Sequence, residues 1–281
     1  MNGDEHAKTR AANLKRWRGR GENWSNRAPE GRSPDDQLNQ EIIEAADCRP
    51  GHHVLDIAGG GGEPTISVAL HVGGEGRVTA ADLAAEMQQG AKRRAANLGL
   101  TNIDFHECDM EKLPFANNNF DAVTCRMGIM FAPNRAAAAV EAFRVLKPGA
   151  RVAYLVWGPE QDNDIHMKMH PTARACFGMP PGTGSQRHVL GAVGTLTALL
   201  ESAGFTDIEE RENKQTRIVA LDERFWGATF DRNFGPQYEA LDDAGRKVVD
   251  DAVWAAYADD RTEDGWQVRS HTRIGIGVKP G

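Results

Sequence analysis

The sequence predicts an α/β fold: a doubly wound, seven-stranded, mostly parallel sheet with an antiparallel last strand. Three observations predict it. From residue 53 to residue 157, short apolar strands alternate with helix patterns, and such alternation folds as a parallel sheet with helices on both faces. The first strand runs into four consecutive glycines, Gly59 to Gly62, which lead straight into a helix. A glycine turn between strand and helix is where α/β sheets bind nucleotide-like ligands. After residue 157 the alternation changes, and strand patterns at 206–220 and 267–278 supply the two closing strands.

The elements follow in order. Residues 1–32 read as a basic N-terminal helical arm: residues 1–33 hold eight Lys/Arg against four Asp/Glu, +4, which leaves −11 for the rest of a chain of net charge −7. Such an arm is either solvated or a lid, to which Trp17 and Trp24 would contribute. Residues 33–281 form the main domain, with its core at 50–160 and helical insertions at about 161–204 and 222–262. Ser33-Pro34-Asp35-Asp36 is a helix start, a cap residue followed by proline and first-turn acids, for a helix to about residue 46. Strand 53–57 precedes helix 63–72, strand 77–81 precedes helix 84–98, and strand 103–106 is followed by a long loop. Strand 120–126, helix 134–146, a turn at Lys147-Pro148-Gly149 and strand 151–157 complete the repeat. Residues 161–177 read as helical with a kink or break at Pro171, and 178–184 as a Pro/Gly loop. Residues 193–203 form a helix stopped by Gly204, and 222–258 are mostly helical.

The bulk properties narrow the class. A length of 281 residues allows one large domain or two small ones, and 40% hydrophobic with 26% charged residues is ordinary for a globular protein. A mean hydropathy of −0.52 and the lack of a long apolar run argue against a membrane-spanning helix. The polar, acidic first residues carry no signal-peptide pattern, and Cys48, Cys108, Cys125 and Cys176 have no metal-ligand spacing, so a cytoplasmic protein with reduced thiols is expected. The negative net charge argues against nucleic acid as a partner.

The glycine run selects its ligand. The dinucleotide fingerprint Gly-x-Gly-x-x-Gly/Ala fits neither register, because Thr65 follows Gly60-x-Gly62 and Pro64 follows Gly59-x-Gly61. What fits is Asp56-x-Ala58-x-Gly60-x-Gly62, whose acid would repel a pyrophosphate and attract an amine. Asp82 ends the second strand, 26 residues on, at the position that faces ribose hydroxyls in doubly wound folds. Asp109 follows the third strand and is placed to accept from an adenine amino group. All three acids fall at the carboxyl ends of neighbouring strands.

With these motifs the chain resembles the class I S-adenosylmethionine-dependent methyltransferases, a Rossmann-like fold, and within them the ubiquinone/menaquinone-biosynthesis C-methyltransferase branch. The resemblance rests on Val54-Leu55-Asp56-Ile57-Ala58-Gly59-Gly60-Gly61-Gly62, with Ala58 where glycine is usual, and on Val78-Thr79-Ala80-Ala81-Asp82-Leu83 with Glu86-Met87. Leu113-Pro114-Phe115, Phe120-Asp121-Ala122-Val123 and Arg144-Val145-Leu146-Lys147-Pro148-Gly149 complete it. It implies S-adenosylmethionine as methyl donor and a small-molecule acceptor such as a quinol, phenol or amine. It places Asp56, Ala58, Gly60 and Gly62 at the methionine moiety, with Thr65 also among the cofactor-binding residues, Asp82 at the ribose, and Leu83 and Met87 beside the adenine. Asp109 and Met110 would meet the adenine edge, and Arg126 either the methionine part or the acceptor or else a salt-bridge partner. The transfer needs a base only if the acceptor must lose a proton; His166 and His170, four residues apart on one helical face, are the candidates, with His188 and Tyr154 behind them. No metal is expected. Trp157, Phe225 and Trp226 would either line an acceptor pocket or pack in the core. The rivals are an NAD(P)-dependent oxidoreductase and a non-catalytic cofactor- or partner-binding protein of the same fold, and a monomer and a homodimer are equally open.

Overall fold

The structure is a computed structural model and describes residues 3–26, 36–182 and 186–281. Two compact units divide the chain. The first comprises residues up to Val156 together with Val193–Arg211 and Arg273–Gly281; the second comprises Trp157–Ala192 and Glu212–Thr272.

In the first unit, helix α1 (Gly3–Asn26) precedes α2 (Gln37–Ala45), and then strand and helix alternate: β1 (His53–Ile57), α3 (Thr65–Val72), β2 (Arg77–Asp82), α4 (Gln89–Asn97), β3 (Ile103–Glu107), β4 (Phe120–Arg126), α5 (Arg135–Val145) and β5 (Leu146–Trp157). Ser33, Pro34 and Asp35 of the expected cap lie outside the described residues. Asp36 itself caps α2, its carboxylate accepting from the amides of Leu38 at 3.1 Å and Asn39 at 3.2 Å. Helix α7 (Thr195–Ser202) also belongs to this unit.

The sheet has the order β3-β2-β1-β4-β5-β7-β6, where β6 is Thr206–Val219 and β7 is Trp266–Val278. The β1–β2, β1–β4, β2–β3 and β4–β5 pairs are parallel, and the last strands are antiparallel. The order reverses between β1 and β4, so the carboxyl ends of these strands border the switch point at which open α/β sheets bind ligands. One core cluster joins Ile42, Val54, Val68, Val78, Leu155 and Ile274; near-continuous apolar strands such as β1 are what a sheet covered on both faces requires.

Three expected helices start or end elsewhere. The helix expected from 63 begins at Thr65, because the glycine turn extends through Pro64. The helix expected at 84–98 is a 3₁₀ turn, Ala85–Gln88, followed by α4. The 161–177 segment is not one regular helix: a π-helical turn, Ile165–Met169, passes into α6 (His170–Cys176), and Pro171 interrupts the chain no further, since it sits in the first turn of α6, where an amide hydrogen is not needed. The second unit also holds α8 (Gly227–Glu239) and α9 (Asp243–Ala256). Its core gathers Trp226, Phe230, Phe234, Val253, Tyr257 and Trp266.

Candidate functional site

The glycine turn is closed by its own backbone. Gly62 N donates to Gly59 O at 2.8 Å, and Gly59 N donates to Ala81 O of β2 at 3.1 Å. Ala58 has φ +59° and Gly60 φ +46°, the left-handed region that glycine enters freely and alanine only with strain. Ala58 therefore carries a conformation suited to the glycine it replaces. A Cβ at Gly128, just after β4, would lie 2.4 Å from the Ala58 Cβ; this close approach requires glycine at 128.

Asp56 lies under the turn. It is fully buried, and its carboxylate accepts from the Thr65 hydroxyl on one oxygen and from the Thr124 hydroxyl at 2.9 Å on the other. Burial pushes its pKa up to about 7, against the hydrogen bonds from Thr65 and Thr124. In this arrangement Asp56 and Thr65 brace the turn from beneath rather than offering open surface to an amine.

Asp82 joins the turn to the next loop. One carboxylate oxygen accepts from Gly60 N at 3.0 Å and the other from Ala84 N at 3.0 Å. The residue is 8% exposed, and burial raises its pKa to about 6. An ionised carboxylate has about four acceptor positions, so the backbone leaves capacity for hydroxyl donors. Met87 is buried at this end of β2 and Leu83 is half-buried; the Met87 Cε stands 3.9 Å from the Cβ position of Gly60.

Asp109 and Met110, both half-buried, follow β3. Asp109 is engaged by α1: Arg10 Nε lies 2.5 Å from its carboxylate, and Arg10 Nη2 lies 2.5 Å from Glu111. The rest of α1 crosses the same strand ends. Asn13 donates to Phe131 O at 2.9 Å, and Trp17 meets the Phe131 ring edge-on at 5.2 Å. Arg18 pairs with Glu107 at 2.8 Å, and the Ser25 hydroxyl donates to Glu86 O at 2.8 Å. A Cβ at Gly21 would lie 2.4 Å from the Glu86 Cβ, so the helix can approach only through glycine. Residues 3–26 thus form an ordered strap over the loops that follow β2, β3 and β4.

Arg126 does not point into open space. It is almost buried, donates to Asn39, and lies 3.2 Å from Asp36 and 3.8 Å from Glu63. Arg94 of α4 completes the group, donating to Gly61 O at 2.9 Å and to Glu63 at 2.7 Å. Sequence reasoning missed Arg94 and Asn39. The available signal was an arginine on the face of α4 that also carries Ala91 and Ala95, both buried.

The histidine candidates belong to the second unit. The ring of His166, 7% exposed, meets Trp157 edge-on at 4.7 Å, His188 at 4.8 Å and His170 at 5.5 Å. His188 Nδ1 lies 2.7 Å from Gly158 O. His166 Nδ1 and His188 Nε2 are buried without a hydrogen-bond partner among the described residues. Burial first, then Arg187 and the other two histidines, push His166 well below its ordinary value, so it is neutral and a poor proton acceptor. Tyr154 is wholly buried in the sheet, and burial raises its pKa well above the ordinary phenol value. Trp226 is a core residue and half-buried Phe225 packs against the same core, with Trp254, Tyr257 and Phe230 as their ring partners. Burial pushes Cys48 and Cys108 up to about 12, which leaves them inert thiols.

A family model described as the ubiE/COQ5 methyltransferase family matches residues 36–165. A ubiquinone/menaquinone biosynthesis C-methyltransferase of Cellvibrio japonicus is 34% identical over 194 residues, 64% of this chain and 76% of that protein. An uncharacterised protein of Mycobacterium tuberculosis is 32% identical over 230 residues, 79% of this chain and 77% of that protein. Among solved structures, a Bacillus halodurans protein described as a proposed methyltransferase superimposes with a TM-score of 0.59 at 21% identity, over 87% of this chain and 100% of that one. A Haemonchus contortus phosphoethanolamine N-methyltransferase, solved with S-adenosylhomocysteine, gives 0.56 at 20% identity, over 88% and 53%. At such identities the two structures show the fold.

Proposed function

The chain belongs to the ubiE/COQ5 methyltransferase family and is an S-adenosylmethionine-dependent methyltransferase, and from that premise we propose that its acceptor is a small molecule and that the turn at Ala58–Gly62 with Asp82 holds the methyl donor. One observation carries the reading: Asp82, almost buried, is fixed by the amides of Gly60 and Ala84 and keeps acceptor capacity for the ribose hydroxyls. The left-handed turn at Gly60 and the neighbouring Met87 suit a nucleoside. The bound cofactor supplies a methyl group already activated as a sulfonium, so the chain's own contribution is positioning and exclusion of water.

Each residue has a proposed part. Asp82 orients the ribose. Leu83, Met87 and Met110 offer apolar contact to the base, and Asp109 an acceptor for its amino group. Asp56 and Thr65 hold the shape of the turn, while Arg126 acts through Asn39 and Asp36. If the acceptor must lose a proton, half-buried His170 is the better base, because His166 is held neutral too far below the working pH. His166 would then orient rather than accept. The acceptor range is a quinol, a phenol or an amine. Methyl transfer from labelled S-adenosylmethionine to a panel of these compounds tests the reading. Labelled product from one class is the expected result; absence of cofactor binding, or binding without turnover of any acceptor, overturns it. The nicotinamide-dependent alternative is not favoured by the family relationship.

A further inference from the structure

The polar groups behind the glycine turn form one continuous chain. Asp36 caps α2 and lies 3.2 Å from Arg126 of β4. Arg126 donates to the Asn39 side-chain oxygen, and the Asn39 amide donates to Glu63 and, at 2.9 Å, to Ser67 of α3. The other oxygen of Glu63 accepts from Arg94, whose second arm reaches the Gly61 carbonyl. Two acids and two arginines alternate, and the chain ends on the main chain of the turn itself.

We propose that Arg94 is a positioning residue for the cofactor: its guanidinium fork, aligned by Glu63, sets the orientation of the Gly61–Gly62 peptide. The inference rests on the reading of the turn as the cofactor site. The carbonyl of this peptide is held by Arg94 at 2.9 Å, and its N–H by Gly59 O at 2.8 Å. Neither end can rotate without losing a hydrogen bond. Gly62 has φ +100°, and a Cβ there would stand 3.0 Å from Ile66, 3.1 Å from Ala91 and 3.3 Å from Arg94 Nη1. Turn, α3 and α4 are therefore packed against one another at this peptide. Stability alone does not call for an arginine here. Arg94 is 7% exposed, and a paired buried charge is often matched or bettered by an apolar residue of similar volume. What a planar fork adds is two hydrogen bonds at a fixed separation, which lysine cannot reproduce.

The test measures S-adenosylhomocysteine binding by calorimetry, and the thermal midpoint, for the wild type, Arg94→Lys, Arg94→Ala and Glu63→Gln. Arg94→Lys is expected to keep a midpoint close to the wild type and to bind about 10- to 100-fold more weakly. Arg94→Ala is expected to lose a similar factor and to regain part of it with millimolar guanidinium but not with methylammonium. Glu63→Gln leaves an acceptor for Arg94 and is expected to fall between the wild type and Arg94→Lys. If the wild type itself does not bind, the reading of the turn fails. If it binds and Arg94→Lys matches it, the positioning role fails alone. Affinity that falls only in step with the midpoint, variants that do not fold, or no difference between the two added cations would equally overturn the role.

Discussion

The pKa of Asp82 gives the proposed cofactor site a pH signature. Burial raises this carboxyl to about 6, above its ordinary value near 3.9. Ribose hydroxyls donate hydrogen bonds, which the ionised form accepts better than the protonated one. The ligand should therefore select the ionised carboxylate, and binding should release a proton. At pH 5 a group with a pKa of about 6 is ionised in about one molecule in eleven, and at pH 7.5 almost completely. Affinity for S-adenosylhomocysteine should accordingly rise about tenfold from pH 5 to 7.5 and level off above pH 7. Calorimetry at pH 6 in two buffers of different ionisation enthalpy should record about half a proton released. Asp82→Asn should flatten the profile and weaken binding at pH 7.5 by about 10- to 100-fold, the worth of one hydrogen bond to a charged group. A flat wild-type profile, or a tenfold slope that survives in Asp82→Asn, would refute the assignment of Asp82 to the ligand.

Four further outcomes follow from the same geometry. Asp56, raised to about 7, binds a proton in the native state that the unfolded chain has already lost between about pH 4 and 7. Native stability should therefore fall with rising pH across that window, by up to about 1.4 kcal/mol per unit for this group, and Asp56→Asn should remove this share of the slope in urea titrations. Ala58→Gly should stabilise the protein by about 0.5–1 kcal/mol in urea unfolding, because relief of φ +59° exceeds the extra freedom of glycine in the unfolded chain; a loss of stability would contradict the strain. Gly21→Ala should speed amide exchange along α1 although alanine is the better helix former by about 1 kcal/mol, since its Cβ would meet Glu86 at 2.4 Å. The Arg10 and Arg18 ion pairs are 42% and 49% exposed on the arginine side, so 1 M salt should accelerate exchange in α1 and leave β1 unchanged.

What the sequence made legible was what is local along the chain. The strand–glycine–helix succession, the carboxyl ends of β1, β2 and β3, and the acids at those ends all follow from residues a few positions apart. Their partners do not. Asp56 stands before the glycines and reads as a ligand for an amine, but the hydroxyls of Thr65 and Thr124 occupy it from two different elements. Arg126 ends its strand where a ligand contact or a salt bridge is expected, and its partners come from α2 and its cap, Asn39 and Asp36. Asp109 reads as free for a base, and Arg10, 99 residues earlier, holds it. The aromatic pair Phe225 and Trp226 reads more readily as core than as pocket, and the Trp254 ring of α9 packs against both.

The direction of these differences is physically consistent. A charged side chain near a glycine turn is costly to bury alone, so the fold recruits a partner for it from a distant segment, and the partner then fixes the turn. Arg94 shows the same logic from the other side: in the sequence it is one arginine among the small residues of α4, and only the packing of that helix on Gly61–Gly62 gives it a function to perform. Asp82 differs from the other acids because its partners are backbone amides alone. Amides satisfy a carboxylate without neutralising it, whereas Arg10 pairs with Asp109 and burial raises Asp56, both of whose oxygens are taken by hydroxyls, to about 7; of the three strand-end acids Asp82 is the one best able to offer a ligand negative charge.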